Sequence, residues 1–194
     1  MRLKEKVLFI GDGSEWSVLA AGYLKKYYVS LQAIFWDYGS KSPTSHLDWK
    51  GDRIFTFKAD LILTPSIIGS AAKSAINFHP STPDYRGVGG YYYALADNRN
   101  NFGATCHHID DQIDHGKIIA VDRFLIYRNE DVESLKERTA LACLGLFHRI
   151  VHQIYTAKTI TYADHEIWGR KLYTRKGLER FAEQKPQRSL LASV

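Results

Sequence analysis

The chain has 194 residues, of which 45% are hydrophobic and 24% charged, with a formal net charge of +5. That is enough apolar material for one good core, and the composition excludes a disordered or low-complexity protein. The modest positive charge suits anionic small molecules such as phosphates or carboxylates and does not by itself point to nucleic acid.

In chain order, the basic start Met1-Arg-Leu-Lys-Glu-Lys6 leads into only a short apolar run with no small-residue cleavage pattern. No signal peptide is expected, and no run approaches the roughly 20 apolar residues of a membrane helix. Residues 6–10 read as a buried strand stopped by Gly11-Asp-Gly13. Trp16, Leu19, Ala20, Tyr23, Leu24 and Tyr27 recur at helical spacing behind a candidate N-cap, Ser14. Residues 31–36 read as a second strand. Strand, glycine turn, helix, strand argues for an α/β fold with a parallel sheet. Residues 37–52 read as loop, 53–57 as a short strand, and 61–63 as a buried strand ended by Thr64-Pro65-Ser66. Residues 69–74 allow only a short helix or turn. Residues 75–78 form the next strand, which delivers Asn77-Phe-His-Pro-Ser-Thr-Pro-Asp-Tyr-Arg-Gly-Val-Gly-Gly90 at its C-terminal end. Ligands bind at that end of open α/β sheets.

Residues 91–96 suggest a helical turn or two, 102–109 a strand, 110–116 an acidic loop and 117–127 another strand. A long helix begins near 129–131 and ends near Tyr155, with Val132, Leu135, Ala142, Leu146, Ile150 and Ile154 on one stripe. The segment after 156 alternates weakly and reads as a small hairpin plus a polar tail, an extension of 156–194 to a domain of 1–155. Its basic residues Arg170, Lys171, Arg175, Lys176, Arg180, Lys185 and Arg188 read as a solvated face. Cys106 and Cys143 share no metal spacing; two buried thiols in a reducing cytoplasm is the expectation.

Gly11-Asp-Gly-Ser-Glu-Trp16 lies between a strand and a helix, but the dinucleotide fingerprint needs a glycine where Trp16 stands. The turn is therefore either a phosphate cradle at a helix N-terminus or a plain tight turn. Asn77 and His79, at i and i+2, point to the same side of an extended chain. Asp110, Asp111 and Asp114 lie with His107, His108 and His115 in a nine-residue cluster. A metal is disfavoured, because adjacent His107 and His108 on a strand face opposite ways. Asp111 and His115 read as surface residues. Asp114, brought near His79, would hold the imidazole or accept a proton, while Asn77 and His79 donate to a developing oxyanion. No Gly-x-Ser-x-Gly occurs, and neither cysteine has a base placed beside it. The pattern suggests direct transfer, with the substrate's own amine attacking.

Asn77-Phe-His-Pro-Ser81, Tyr85-Arg-Gly87, Gly103-Ala-Thr-Cys-His107, Asp110 and Ile113-Asp-His-Gly116 resemble the signature of the formyltransferases that use 10-formyltetrahydrofolate. The resemblance spans about residues 6–154. It implies a Rossmann-like, mostly parallel twisted sheet flanked by helices, with an antiparallel part. It implies Asn77, His79 and Asp114 as the catalytic residues. It puts the folate pterin between Ser66, Ile67 and Ile68 and the segment of Ile109, Asp110, Gln112 and Ile113. Gly11, Gly13 and Ser14, with Tyr85, Arg86, Gly87 and Gly89, are the expected acceptor contacts; bracing of the loop by Arg86 is the alternative for that residue. Tyr91-Tyr-Tyr93 and Trp16 are either acceptor walls or packing. The segment before Asn77 is shorter than in the family, residues 88–93 replace an acceptor-side segment, and no second domain follows, which disfavours a tRNA acceptor. The expected acceptor is a small, phosphate-bearing amine, best a nucleotide-linked amino sugar, with glycinamide ribonucleotide as the alternative. A non-catalytic folate-binding module is the alternative of another class, and a metal hydrolase built on the His/Asp loop a further one. No metal, nucleic acid or membrane is expected; a homodimer is compatible with the sequence, which does not set the oligomeric state.

Overall fold

The computed structural model describes residues 1–43, 47–157 and 159–184. Its elements are β1 (Leu3–Gly11), α1 (Glu15–Tyr27), β2 (Tyr28–Phe35), β3 (Gly51–Phe57), α2 (Pro65–Gly69), β4 (Ala71–His79), β5 (Arg86–Gly87), α3 (Gly90–Ala96), β6 (Asn101–His108), β7 (Ile118–Leu125), α4 (Val132–Ala157), β8 (Leu172–Tyr173) and α5 (Arg175–Gln184). Six strands form one sheet in the order β2-β1-β3-β4-β6-β7. The first four are mutually parallel, and β6 runs antiparallel to both its neighbours. This is the mostly parallel α/β sheet with an antiparallel part that the sequence implies. No helix among the described residues is long and apolar enough to cross a membrane.

The central strands are apolar on both faces, as parallel strands must be when both faces are covered. In β1, Val7 and Phe9 enter the larger core cluster, while Leu8 and Ile10 enter a second one. β3 and β4 divide the same way: Phe55, Phe57, Ile76 and Phe78 on one face, Ile54 and Ala75 on the other. Helices α1 and α4 cover the larger face. Phe147 of α4 sits at its centre, with the rings of Phe9, Phe55, Phe57 and Phe78 at 4.7–6.1 Å. The other face is covered by coil and the short α2, through Trp49, Leu61, Leu63 and Ile67. Because β1, β3 and β4 are parallel, the loops after them leave the same edge of the sheet, and the site forms there.

Three segments differ from expectation. Residues 69–74, expected as a short helix or turn, hold the end of α2 at Gly69 and the start of β4 at Ala71. Residues 61–63 are not a strand. Lys58 has φ 51, which turns the chain out of the sheet after β3. Leu61 and Leu63 are buried and Ile62 is 68% exposed. That alternation belongs to an extended coil packed on the core, a pattern that sequence alone cannot separate from a strand. The segment after α4 does not form a hairpin among its described residues. Instead β8 pairs in parallel with β5, Arg86 opposite Leu172 and Gly87 opposite Tyr173. α5 then lays Leu178 and Phe181 on a third cluster of Tyr85, Tyr93, Ala94, Phe102 and Leu135. A strand partner far away in the chain leaves no local signal, which is why the pairing is invisible in the sequence. Lys185 and Arg188 lie outside the described residues.

Candidate active site

Asn77 and His79 close β4, and they do point the same way. Asp114 reaches both from the loop after β6. Its backbone has φ 44, a left-handed turn that swings the carboxylate back toward the sheet. Asp114 Oδ2 accepts the Gly87 N–H at 2.8 Å and lies 3.4 Å from His79 Nδ1. Oδ1 accepts from Asn77 Nδ2 at 3.2 Å and lies 3.3 Å from His107 Nε2. Burial alone would raise the Asp114 pKa. The His79 charge, His107 and the Gly87 N–H outweigh that and hold it well below the usual carboxylate range.

The two imidazoles are set differently. His79 Nε2 donates to the Tyr85 carbonyl at 3.0 Å while Nδ1 faces Asp114, so both nitrogens meet acceptors. Only the imidazolium satisfies both. His107 Nδ1 donates to the His108 carbonyl at 2.7 Å. That fixes its tautomer and leaves Nε2, 3.0 Å from Asn77 Nδ2, as the nitrogen that can accept from that amide. Thr56 Oγ1 donates to Asn77 Oδ1 at 2.6 Å and so sets which way the amide faces. Trp168 of the tail packs against the site, its ring perpendicular to that of His107 with centroids 4.9 Å apart and its Nε1 donating to the Gly116 carbonyl at 2.8 Å.

These groups form the buried part of a cleft of about 500 Å³, within the size range of small-molecule sites. Residues 59–63 and 109–113 line it on the β3 and β6 side, and residues 87–91 with 172–175 line it on the other. Arg175 stacks on Tyr38 at 3.7 Å and pairs with Asp60, bridging the tail to the loops after β2 and β3.

A family model described as formyl transferase matches residues 49–149, just over half of the chain. This chain belongs to the formyl transferase family. It is 30% identical over 98 residues to a phosphoribosylglycinamide formyltransferase of Haemophilus influenzae, covering 46% of each chain. It is 38% identical over 82 residues to the trifunctional purine biosynthetic protein adenosine-3 of Chironomus tentans, covering 42% of this chain and 6% of that one. The chain thus spans less than half the length of these relatives. Its fold matches that of the formyltransferase PseJ from Anoxybacillus kamchatkensis, solved with UDP-4,6-dideoxy-4-formamido-L-AltNAc and tetrahydrofolate. The TM-score is 0.72 at 22% identity, covering 96% of this chain and 97% of that one.

Within this family member the other expected contacts divide. Ile109, Asp110, Gln112 and Ile113 line the cleft. Ser66, Ile67 and Ile68 do not; they sit in α2, and Ile67 packs into the second core cluster. The strand next to β4 is β3, so the loop that meets the cleft is the one after β3. Residues 59–63 stand where 66–68 were expected.

Gly87 and Gly89 line the cleft. Tyr85 faces inward instead, 2% exposed, with its hydroxyl donating to Asp97. Arg86 braces the acidic loop, donating from Nε to the Asp114 carbonyl at 2.7 Å and from Nη2 to the Ile113 carbonyl at 2.8 Å. The turn after β1 is filled by the chain's own carboxylates. The Gly13 N–H donates to Asp37, and Asp12 accepts from Ser14, Ser17 and Lys58. Gly11 allows Ser17 to pack close, since a Cβ there would meet it at 2.7 Å. The backbone donors of Gly13 and Ser14 are thus paired within the chain, which supports the tight-turn alternative.

Sequence reasoning missed Thr56 and Trp168, and it named His107 in the motif without giving it a place in the site. For His107 a signal existed: Gly103, Thr105 and His107 make one face of β6 polar or small, against Phe102, Ala104 and Cys106 on the other. The direct pairing of His107 with Asn77 across the strands had no such trace.

Proposed function

We propose that this protein is an N-formyltransferase that moves a formyl group from 10-formyltetrahydrofolate to a primary amine, with a nucleotide-linked amino sugar as acceptor. The observation that carries this is the convergence of Asn77, His79 and Asp114 at the buried part of one cleft. The cleft suits a flat, partly apolar ligand such as a pterin. Ile62 and Ile113 are 68% and 41% exposed and both line it, apolar surface that a ring can cover. The relatives and the PseJ structure, with its tetrahydrofolate and sugar nucleotide, support the reading. Both cysteines are free and buried, in keeping with the cytoplasmic setting this reading assigns.

In this reading His79 and Asn77 meet the negative charge that grows on the formyl oxygen as the neutral amine attacks. Asp114, ionised and charge-balanced by His79, takes the proton the attacking nitrogen must lose. Gly87 and Arg86 hold Asp114 at the required place through the bonds described above.

The test is incubation of the protein with 10-formyltetrahydrofolate and UDP- or dTDP-linked amino sugars, with glycinamide ribonucleotide in parallel, followed by mass spectrometry. A sugar nucleotide that gains one formyl group is the expected result. Gain by glycinamide ribonucleotide alone would move the acceptor to purine synthesis. Folate binding with no formyl gain on any amine would overturn the enzymatic reading.

A further inference from the structure

Asn77 has no free N–H in this structure. An amide carries two, and Nδ2 sits 3.0 Å from His107 Nε2 and 3.2 Å from Asp114 Oδ1. The neutral His107 ring, protonated on Nδ1, offers Nε2 as a lone pair to Asn77. A proton added at Nε2 reverses that contact. Nε2–H cannot accept from Asn77, and the acceptor within its reach is Asp114 Oδ1 at 3.3 Å. One Asn77 N–H is then released at the buried part of the cleft.

We propose that His107 couples removal of the proton from the acceptor amine to release of an Asn77 N–H for the developing oxyanion. This deepens the proposed function and rests on it. The acceptor nitrogen bonds to the formyl carbon and the carbonyl electron pair moves to oxygen. Asp114 takes the surplus proton from that nitrogen and hands it to His107 Nε2, leaving an imidazolium beside a carboxylate. The oxygen pair then re-forms the carbonyl as the bond to the folate nitrogen breaks. That nitrogen keeps the bonding pair and receives the proton back through Asp114. His107 ends neutral, and no other acid or base is consumed.

Two observations support the route. His107 is 2% exposed, so water does not offer its ring another partner. Asp114 Oδ1 lies 3.3 Å from His107 Nε2, and against burial the His79 charge and the Gly87 N–H favour the carboxylate over its protonated form. The titratable groups facing His107 are Asp114 from the loop, His79 across Asp114 and His108 beside it in β6. Asn77 and the Trp168 ring, perpendicular to that of His107, pack beside it without charge. His107 acts through Asn77 and Asp114 and is a positioning residue.

The test begins with the free protein. The Asn77 side-chain amide and the His107 ring nitrogens are followed by nitrogen-15 NMR from about pH 5 to pH 9, the range over which histidine charge changes are read. The Asn77 signal is expected to move with the same midpoint as His107 Nε2. In His107→Gln, which accepts a hydrogen bond but gains no proton, that movement is expected to vanish. The same variant is expected to lower kcat about 100-fold or more, the loss of one oxyanion donor, with KM nearly unchanged. A still Asn77 signal while His107 titrates, a His107 that takes up no proton, or an unchanged kcat in His107→Gln overturns the coupling. Absence of formyl transfer by the wild-type chain would overturn the proposed function, whatever the NMR result.

Discussion

Gly87→Ala tests whether the tail strand is part of the site. Gly87 has φ +91, where a side chain is strained by about 1–3 kcal/mol. A Cβ there would stand 2.1 Å from the Tyr173 carbonyl oxygen and 3.1 Å from Leu172 Cδ1, far inside the 3.4–4 Å of ordinary contact. β8 must therefore move away, and the bond from the Val88 N–H to that oxygen, 2.9 Å long, is lost. Such a bond contributes about 1 kcal/mol net. Together the two effects place the variant roughly 2–4 kcal/mol below the wild type. The Gly87 N–H also holds Asp114 at 2.8 Å, so turnover is expected to fall with stability. Urea unfolding followed by tryptophan fluorescence reads the difference. Gly145→Ala is the control. It lies in α4 with nothing within 4 Å of the added carbon, so it is expected to gain up to about 1 kcal/mol from helix propensity. A Gly87→Ala chain as stable as the wild type would refute the close approach of the tail to the β5 loop.

Asp114→Asn is expected to leave the far-UV circular dichroism unchanged and to lower turnover about 10²–10⁴-fold at saturating acceptor, because the base is gone and His79 loses its counter-charge. Near-normal turnover would remove Asp114 from the proton path. Acid is expected to act on stability in two stages. Burial first, with neighbouring cations, lowers His108 and His148 below their unfolded value of about 6.5, so stability is full above that pH and declines as pH falls toward the folded values. Asp114 resists burial through His79, His107 and Gly87 and sits below its unfolded value of about 3.9; its contribution holds above that pH and is lost only in stronger acid. Urea midpoints measured across pH check both stages, and a midpoint unchanged between pH 7 and pH 5 would contradict the first.

What the sequence carried was local. The Asn77/His79 pair could be read because strand alternation puts i and i+2 together, and both do meet Asp114. The parallel sheet followed from the glycine turn between strand and helix. What failed needed partners distant in the chain. His107 stands opposite Asn77 only through an antiparallel pairing that no nearby residue announces. Its orientation away from His108, which disfavours a shared metal, is the same orientation that points it into the site. The coil of residues 61–63 alternates as a strand does, and only the Lys58 turn distinguishes it. For Arg86 the sequence allows either bracing or acceptor contact, and its bonds to two backbone carbonyls support the bracing role.

The parallel pairing of β5 with β8 has a consequence for assembly in time. Arg86 meets Leu172 across a closed loop of about 86 residues. The equilibrium penalty of so long a loop is modest, since each doubling of length costs only about 0.6 kcal/mol. The kinetic effect is larger, because chains emerge at about 5–20 residues per second and non-local pairings form late. Asn77, His79 and Asp114 are therefore synthesised well before the strand that steadies Gly87 beside them. A growing chain holds its reactive groups together but unbraced, and the working geometry is completed only when the last described elements arrive.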